Sequence, residues 1–211
     1  MDTSGLFDIF YQNILNTSWI EIVAVIFGLA SVWFAKKENI MVYPTGIISV
    51  LIYVYICFIA KLYADMGINF FYFIMSVYGW YMWTRKDSTR KTLGITRCKW
   101  SSQIFNLLAG GLIFLILNYF LSNYTDSDVP FWDSLTTAIF IVAMWLMARK
   151  KLENWTAWML GNIISIPLYF YKGLVFTSFQ YIVFFILAIA GYIEWEKKLR
   201  VLTLKDQVKQ L

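Results

Sequence analysis

Two tryptophans and an asparagine stand near the start of one apolar segment of the chain. Trp155, Trp158 and Asn162 have offsets of 0, 3 and 7, so they share one face of a helix. An amide on an apolar helix is unfavourable unless it is hydrogen-bonded. Two tryptophan faces beside it attract a flat, positively charged ring by stacking and cation–π interaction. The pattern therefore indicates a binding site for an aromatic cation, with packing between helices as the alternative.

Further polar side chains occur at helical spacing in this and two other apolar segments. The face of Asn162 continues to Ser165 and Tyr169. A second segment carries Asn69 and Tyr72, and the last one carries Gln180. Within a membrane, Asn and Gln also join neighbouring helices, by hydrogen bonds worth about 0.5 to 2 kcal/mol. All of these side chains are predicted to line the same substrate site, with helix association as the alternative for the amides.

The groups that would perform catalysis are missing from the sequence. Histidine, the commonest general base and metal ligand, does not occur. There is no G-x-x-x-x-G-K-[ST] run for nucleotide hydrolysis, and no carboxylate stands deep in an apolar segment to couple movement to an ion. We therefore expect no enzyme activity, no cofactor and no metal site. A small molecule that moves down its own gradient fits best.

The composition is that of a membrane protein. Hydrophobic residues make up 60% of the 211 residues and charged residues only 15%, whereas soluble domains carry about 25% charged residues. The sequence contains several apolar segments, and a segment of about 18 to 20 apolar residues crosses a bilayer as a helix. The sequence predicts an all-α polytopic protein with seven spans, at about 19–35, 42–60, 67–84, 103–121, 134–148, 154–171 and 174–195.

The basic residues are distributed unequally between the two sides of the membrane. With the N-terminus outside and seven spans, 16 of the 18 Lys and Arg residues fall inside, and only Lys61 and Lys172 fall outside. This positive-inside pattern explains the net charge of +5 without a nucleic-acid partner. Trp83 and Trp195 end spans and are expected in the interfacial aromatic belt. The prediction is a multi-pass protein with its N-terminus outside and its C-terminus in the cytoplasm.

The first and last thirds of the sequence resemble each other. The run 47–49 (Ile-Ile-Ser) matches the run 163–165. After a small change of offset, 79–83 parallels 191–195, and each run begins with a glycine and an aromatic residue and ends with a tryptophan. Charge, small residue and aromatic residue fall in the same order in both thirds, so the sequence predicts an internal repeat.

The predicted repeat implies a definite architecture. Three spans reverse the direction of the chain, and a single fourth span restores it, so the two triplets become parallel copies (3+1+3). Aligning Lys61 with Lys172 places Asn69 opposite Gln180. The predicted boundaries are 1–18 for an N-terminal segment, 19–84 for the first repeat, 85–133 for a basic loop and linker helix, 134–195 for the second repeat and 196–211 for a cytoplasmic tail.

The W-x-x-W-x-x-x-N motif, the stretch from Asn69 to Tyr72, Gln180 and the 3+1+3 layout together resemble the PnuC family of vitamin transporters, bacterial relatives of the SWEET sugar transporters. The resemblance covers the chain from about Trp19 to Trp195. It implies uptake of nicotinamide riboside across the bacterial inner membrane by facilitated diffusion, made one-way by intracellular phosphorylation. It also implies a homotrimer.

The resemblance leaves the substrate open. Relatives on the same scaffold carry thiamine or riboflavin, and both thiamine and nicotinamide riboside are flat aromatic cations that bear hydroxyls. Nicotinamide riboside is the preferred substrate and thiamine the alternative. The alternative of a different class is a non-transporting membrane scaffold subunit, in which the amides only join helices.

Overall fold

Seven α-helices form the part of the chain that the computed structural model describes, which comprises residues 18–59, 63–86 and 92–208. Lys61, Arg90, Lys91 and Lys209 of the charge count lie outside these residues. The predicted spans are confirmed to within a few residues, except that the last helix continues well past Trp195. The helices are α1 (Trp19–Lys36), α2 (Val42–Ile59), α3 (Tyr63–Thr84), α4 (Trp100–Tyr124), α5 (Pro130–Ala148), α6 (Asn154–Tyr171) and α7 (Val175–Val208).

Most of these helices have the length and composition of membrane spans. Among the described residues, α1, α2, α4, α5 and α7 are long and apolar enough to cross a bilayer. The helix α6 has 18 residues, about 27 Å at 1.5 Å per residue, but it is more polar. Its polar side chains include Asn162 and Ser165 of the predicted site, which face protein and not lipid because both are buried.

The connections between helices meet at two ends of the bundle. The turn after α1 contacts the turn after α5, where Lys150 Nζ lies 2.8 Å from Glu38 Oε1. The segment between α3 and α4 joins them, since the Thr96 N–H donates to the Lys150 carbonyl at 3.1 Å. At the opposite end Lys172 Nζ forms an ion pair with Asp133 Oδ1 at 2.6 Å. We call the end that contains Glu38 and Lys150 the basic end, because the turns that carry most Lys and Arg lie there.

The two groups of three helices correspond position by position. The helix α2 begins at Val42 and α6 at Asn154, and the turns that precede them have the same backbone conformation. Glu38 and Lys150 each stand four positions before their helix, and both adopt the left-handed region, with φ of 60° and 49°. The internal repeat is therefore present. We call the alignment that pairs Glu38 with Lys150 the turn register.

The turn register differs from the one that the apolar match suggests. The match of 47–49 with 163–165 aligns the repeats four residues away from the turn register, which is a shift of about one helical turn. Apolar residues recur on every turn of a buried helix, so such a match slides by a turn without losing similarity. In the turn register Asn69 corresponds to Tyr181, and the predicted pairing of Asn69 with Gln180 is wrong by one position.

Trp83 ends α3, and Trp195 ends the apolar part of α7. Each of these tryptophans donates a hydrogen bond to the other repeat. The Trp83 indole N–H donates to the Met147 carbonyl at 3.1 Å, and that of Trp195 donates to the Ala35 carbonyl at 3.0 Å. Both carbonyls lie at helix C-termini and already accept a backbone N–H of the following turn, so each indole adds a second hydrogen bond that comes from the other repeat. Both rings are buried, Trp195 completely. Their expected place in the lipid-facing belt is therefore wrong.

The packing of the helices follows the same two-fold pattern. Neighbouring helices pack in sequence within α1–α3 and within α5–α7. Between the groups α1 packs against α7 and α3 against α5, which are equivalent pairs under the repeat. The helix α4 packs against α5 at the side of the bundle. This is the predicted arrangement of two parallel three-helix repeats with a linker helix.

Replacing Trp195 by phenylalanine should lower the thermal stability of the detergent-solubilised protein. The substitution keeps most of the buried ring but removes one of the two hydrogen bonds to the Ala35 carbonyl, which still accepts from the Glu38 N–H, and this loss costs about 0.5 to 1.5 kcal/mol. Trp83→Phe should behave similarly, whereas Trp100→Phe, at a ring that is 75% exposed, should change little. Equal melting temperatures for Trp195→Phe and Trp100→Phe would contradict the importance of these hydrogen bonds between the repeats.

Candidate functional site

A row of aromatic rings runs through the second repeat. Trp158 of α6 stacks on Phe140 of α5, with centroids 5.2 Å apart and planes at 29°. Phe140 is nearly parallel to Tyr181 of α7 at 6.1 Å, and Tyr181 stacks on Tyr169 of α6 at 5.0 Å. Of these four residues Phe140 is buried, and the other three are partly buried. We call Trp158, Phe140, Tyr181 and Tyr169 the aromatic row.

Two tyrosines of the first repeat face the aromatic row. Tyr72 of α3 is close enough to Tyr169 and Tyr181 to interact with both electrostatically, and Tyr53 of α2 with Tyr181. The side chains of Tyr53 and Gln180 are hydrogen-bonded to each other. The row and these side chains therefore lie between the repeats, where α2, α3, α5, α6 and α7 all contribute.

Polar groups on α6 lie beside the row at the depth of the membrane interior. Asn162 is 2% exposed and Ser165 is completely buried. They stand eight and eleven positions into α6, about 12 and 17 Å from its start at the basic end. A bilayer core is about 30 Å thick, so both lie near its middle. Among the described residues the Ser165 hydroxyl has no hydrogen-bond partner, which leaves it available to a bound molecule.

Trp155 lies in a different layer from Trp158. Its ring packs edge-on against Trp195 at 5.5 Å, and a Cβ built on Gly191 would lie 2.6 Å from it. The close approach of the ring thus requires a glycine at that position of α7. The structure places Trp155 inside the protein, one helical turn nearer the basic end than the aromatic row. There it belongs with Trp83 and Trp195.

Asn69 completes the predicted set of site residues. It is half-buried on α3 and stands three positions before Tyr72 on the same face. Under the repeat it occupies the position of Tyr181, a member of the aromatic row. The structure thus brings four of the eight predicted residues together in or beside the row, namely Trp158, Tyr169, Tyr72 and Gln180. Asn162 and Ser165 are buried on the face of α6 that carries Trp158, Asn69 shares the face of Tyr72, and Trp155 lies in another layer.

Three aromatic residues of the site were not among the predicted site residues. Tyr181 and Tyr53 correspond in the turn register to Asn69 and Ser165, which were predicted, so the register that the structure supplies would have identified both. Phe140 could not, since its counterpart under the repeat is Gly28. Phe140 enters the row because Gly161 has no side chain, and a Cβ built there would overlap its ring.

The side chains of the site are suited to binding a small molecule. They offer ring faces, hydroxyls and amides, which suit a flat aromatic ring with hydroxyl substituents. Among the described residues no group of His, Cys, Asp and Glu could hold a metal ion. The arrangement can bind and orient such a molecule between the two repeats.

Comparisons with known proteins agree with this arrangement. The profile of a family described as "Nicotinamide mononucleotide transporter" matches residues 18–197. The nicotinamide riboside transporter PnuC of Escherichia coli is 30% identical over 207 residues, covering 85% of this chain and 86% of that protein. The riboflavin/roseoflavin transporter RibM of Streptomyces davaonensis is 25% identical over 195 residues, covering 91% and 90%. The crystal structure of the vitamin B3 transporter PnuC is similar with a TM-score of 0.69 and 26% identity, covering 91% of this chain and 87% of that one.

Proposed function

The chain belongs to the nicotinamide mononucleotide transporter family, also called PnuC, and on that premise we propose that it carries nicotinamide riboside. Membership in this family makes it a multi-pass membrane transporter for a vitamin and not an enzyme. The comparisons give no support to a non-transporting scaffold subunit. The choice of nicotinamide riboside rests on the aromatic row and on the name that several relatives share.

The observation that carries the proposal is the row of ring faces beside buried polar groups. The cationic pyridinium ring of nicotinamide riboside would stack on the face of Trp158 opposite Phe140, at the end of the row, with cation–π attraction worth about 2 kcal/mol at a desolvated site. The ribose hydroxyls and the carboxamide would find hydrogen-bond partners in Ser165, Asn162 and Gln180. A ligand in this position also satisfies the buried hydroxyl of Ser165.

The proposed transport is facilitated diffusion into the cytoplasm. The basic end faces inward, because Lys and Arg are retained on the cytoplasmic side, and the N-terminus is outside. Intracellular phosphorylation traps the nucleoside and makes uptake one-way. The repeats at 19–84 and 134–195 move about the basic loop and linker helix at 85–133, and the protein assembles as a homotrimer in the bacterial inner membrane.

Two other vitamins are competing substrates. Thiamine is also a flat aromatic cation with a hydroxyl, so the aromatic row suits it by the same attraction. Riboflavin is a candidate because one relative, from Streptomyces davaonensis, is a riboflavin/roseoflavin transporter. Its ring system is neutral and larger, so charge and size separate it from the first two.

Isothermal titration calorimetry of the purified protein tests the proposal. Nicotinamide riboside should bind, and its reduced, uncharged 1,4-dihydro form should bind roughly tenfold more weakly, since about 1.4 kcal/mol of cation–π attraction is lost. Thiamine and riboflavin are the matched competitors. Binding of riboflavin or thiamine without binding of nicotinamide riboside would overturn the proposed substrate and leave the family assignment in place.

Trapping is tested separately in proteoliposomes. Uptake of labelled nicotinamide riboside should stop when the inside and outside concentrations are equal. Enclosing a nicotinamide riboside kinase with ATP should let it continue. Accumulation above the outside concentration without the kinase would show coupling to an ion and contradict facilitated diffusion.

A further inference from the structure

An aromatic layer closes the protein between the aromatic row and the basic end. Tyr43 and Trp83 of the first repeat meet edge-on at 5.2 Å and 87°, and Trp155 and Trp195 of the second repeat meet at 5.5 Å and 88°. The two pairs correspond in the turn register, and Trp83 contacts Trp195 at 6.1 Å across the repeat boundary. All four side chains are buried. We call these four residues the closing layer.

An ion pair lies on the closing layer on the side of the basic end. Lys150 is 6% exposed, and its Nζ lies 2.8 Å from Glu38 Oε1 and 4.4 Å from the centre of the Trp83 ring. The second oxygen of Glu38 lies 3.4 Å from Lys198 Nζ on α7. Glu38 and Lys150 are corresponding residues of the two repeats. The pseudo-two-fold relation thus places these two side chains next to each other. Because one is an acid and the other a base, they attract, whereas two identical charged residues would repel.

The bonds at this end join one repeat to the other. The ion pair of Glu38 with Lys150 and the indole hydrogen bonds of Trp83 and Trp195 all cross the boundary between α1–α3 and α5–α7. In the described part of the chain, the ion pair at the opposite end, Lys172 with Asp133, stays within α5–α7. Transporters with parallel repeats work by rocking one repeat against the other around the substrate site. Opening the basic end therefore requires these bonds to break.

Two polar atoms of the closing layer are without partners. Among the described residues the Tyr43 hydroxyl and the Trp155 indole N–H are buried and form no hydrogen bond. These atoms again stand at corresponding positions. Buried unsatisfied donors disfavour the closed arrangement, so it must be held by interactions nearby. The adjacent ion pair is one such interaction, a charge-assisted hydrogen bond between the buried Lys150 and the partly buried Glu38.

We propose that the ion pair of Lys150 with Glu38 is a latch that holds the basic end closed over the substrate site. It must separate each time a substrate leaves toward that end. The proposal rests on the proposed transport function, but the arrangement of the closing layer is a property of the protein without substrate. It can therefore be tested without knowing which vitamin is carried.

The test measures how fast a membrane-impermeant thiol reagent reaches the site from each side. Ser165→Cys places a thiol at a buried position beside the aromatic row, in a background of Cys57→Ala and Cys98→Ser. Burial, followed by the nearby Glu153 carboxylate, raises the pKa of Cys98 to about 11, so this native thiol reacts slowly even before it is replaced. Inside-out and right-side-out vesicles present the two ends separately.

Glu38→Gln should speed labelling from the basic end by at least about tenfold, because it leaves the buried Lys150 ammonium without its partner. Lys150→Met should also speed labelling from this end, but by less, because Glu38 keeps its ion pair with Lys198. Labelling from the opposite end should not rise. The matched control is Lys151→Met, which removes the neighbouring lysine, bonded to Thr96 and not to Glu38. Lys151→Met should label at the native rate.

An exchange of charges separates a latch from a folding defect. In a Lys198→Met background, which removes the third charge, Glu38→Lys with Lys150→Glu should bring labelling back to within about threefold of that background alone. Native labelling rates in Glu38→Gln and Lys150→Met, or equally fast labelling in the exchanged protein, would overturn the latch. A working latch in a protein that binds no nicotinamide riboside would overturn only the proposed substrate.

Discussion

Trp158→Ala is expected to weaken nicotinamide riboside binding by roughly tenfold to thirtyfold. The substitution removes the end of the aromatic row and with it about 1.4 to 2 kcal/mol of attraction for a cationic ring. Trp158→Phe should retain part of the affinity, since a benzene ring still stacks on Phe140 but attracts a cation less than an indole does. Titration calorimetry of the purified variants measures both effects.

The control for this prediction is Trp100→Ala, which removes an exposed tryptophan at the start of α4, far along the chain from the row. Its affinity should stay within about twofold of the native value, as for surface substitutions in general. The uncharged dihydro form of the ligand supplies a second control. If Trp158→Ala weakens both forms of the ligand equally, its ring contributes stacking alone and not recognition of charge.

Gly161→Ala is expected to lower both the melting temperature and the affinity. A Cβ at this position overlaps the ring of Phe140, which stands between Trp158 and Tyr181 in the aromatic row. Overpacking of a buried site destabilises by about 1 to 3 kcal/mol, because rigid neighbours must move. Displacement of Phe140 should also disrupt the row, so that binding of nicotinamide riboside falls below detection. Thermal melting and titration calorimetry report the two effects separately.

Gly111→Ala is the matched control, since a Cβ there meets nothing within 4 Å on α4. Replacing a helical glycine by alanine at an open position stabilises by roughly 0.5 to 1 kcal/mol. The double variant Gly161→Ala with Phe140→Leu should regain stability without regaining affinity. Native affinity in Gly161→Ala would show that Phe140 has no part in the site.

Much of the fold follows from local features of the sequence. Each span was predicted within a few residues, because a bilayer demands about 20 apolar residues and the turns between them are polar. The helix α7 is the exception, since its continuation from Glu196 to Val208 is too polar to appear as part of a span. The grouping of the basic turns at one end of the bundle followed from the distribution of Lys and Arg, and the contacts at the basic end agree with that grouping.

The candidate site was predictable in part. Trp158, Asn162, Ser165 and Tyr169 lie on one face of α6, so helical spacing alone brings them together. Phe140 has no such signal, because an apolar aromatic residue in a span is typical of both lipid-facing and buried positions. Trp155 shares the face of Trp158, but its layer depends on Gly191 and Trp195, which belong to the next helix and are distant from it in the sequence.

The sequence by itself determined the class of protein, the number and positions of the helices, the end at which the basic turns lie and the repeat as such. These depend on composition and on spacing within one helix, which are local. Only the tertiary structure decided the register of the repeat, the burial of Trp83 and Trp195, the aromatic row and the pairing of Glu38 with Lys150. Each of these depends on which helices pack against each other and at what height. Apolar side chains repeat on every helical turn, so their pattern does not distinguish one height from the next, whereas backbone turns and buried hydrogen bonds do.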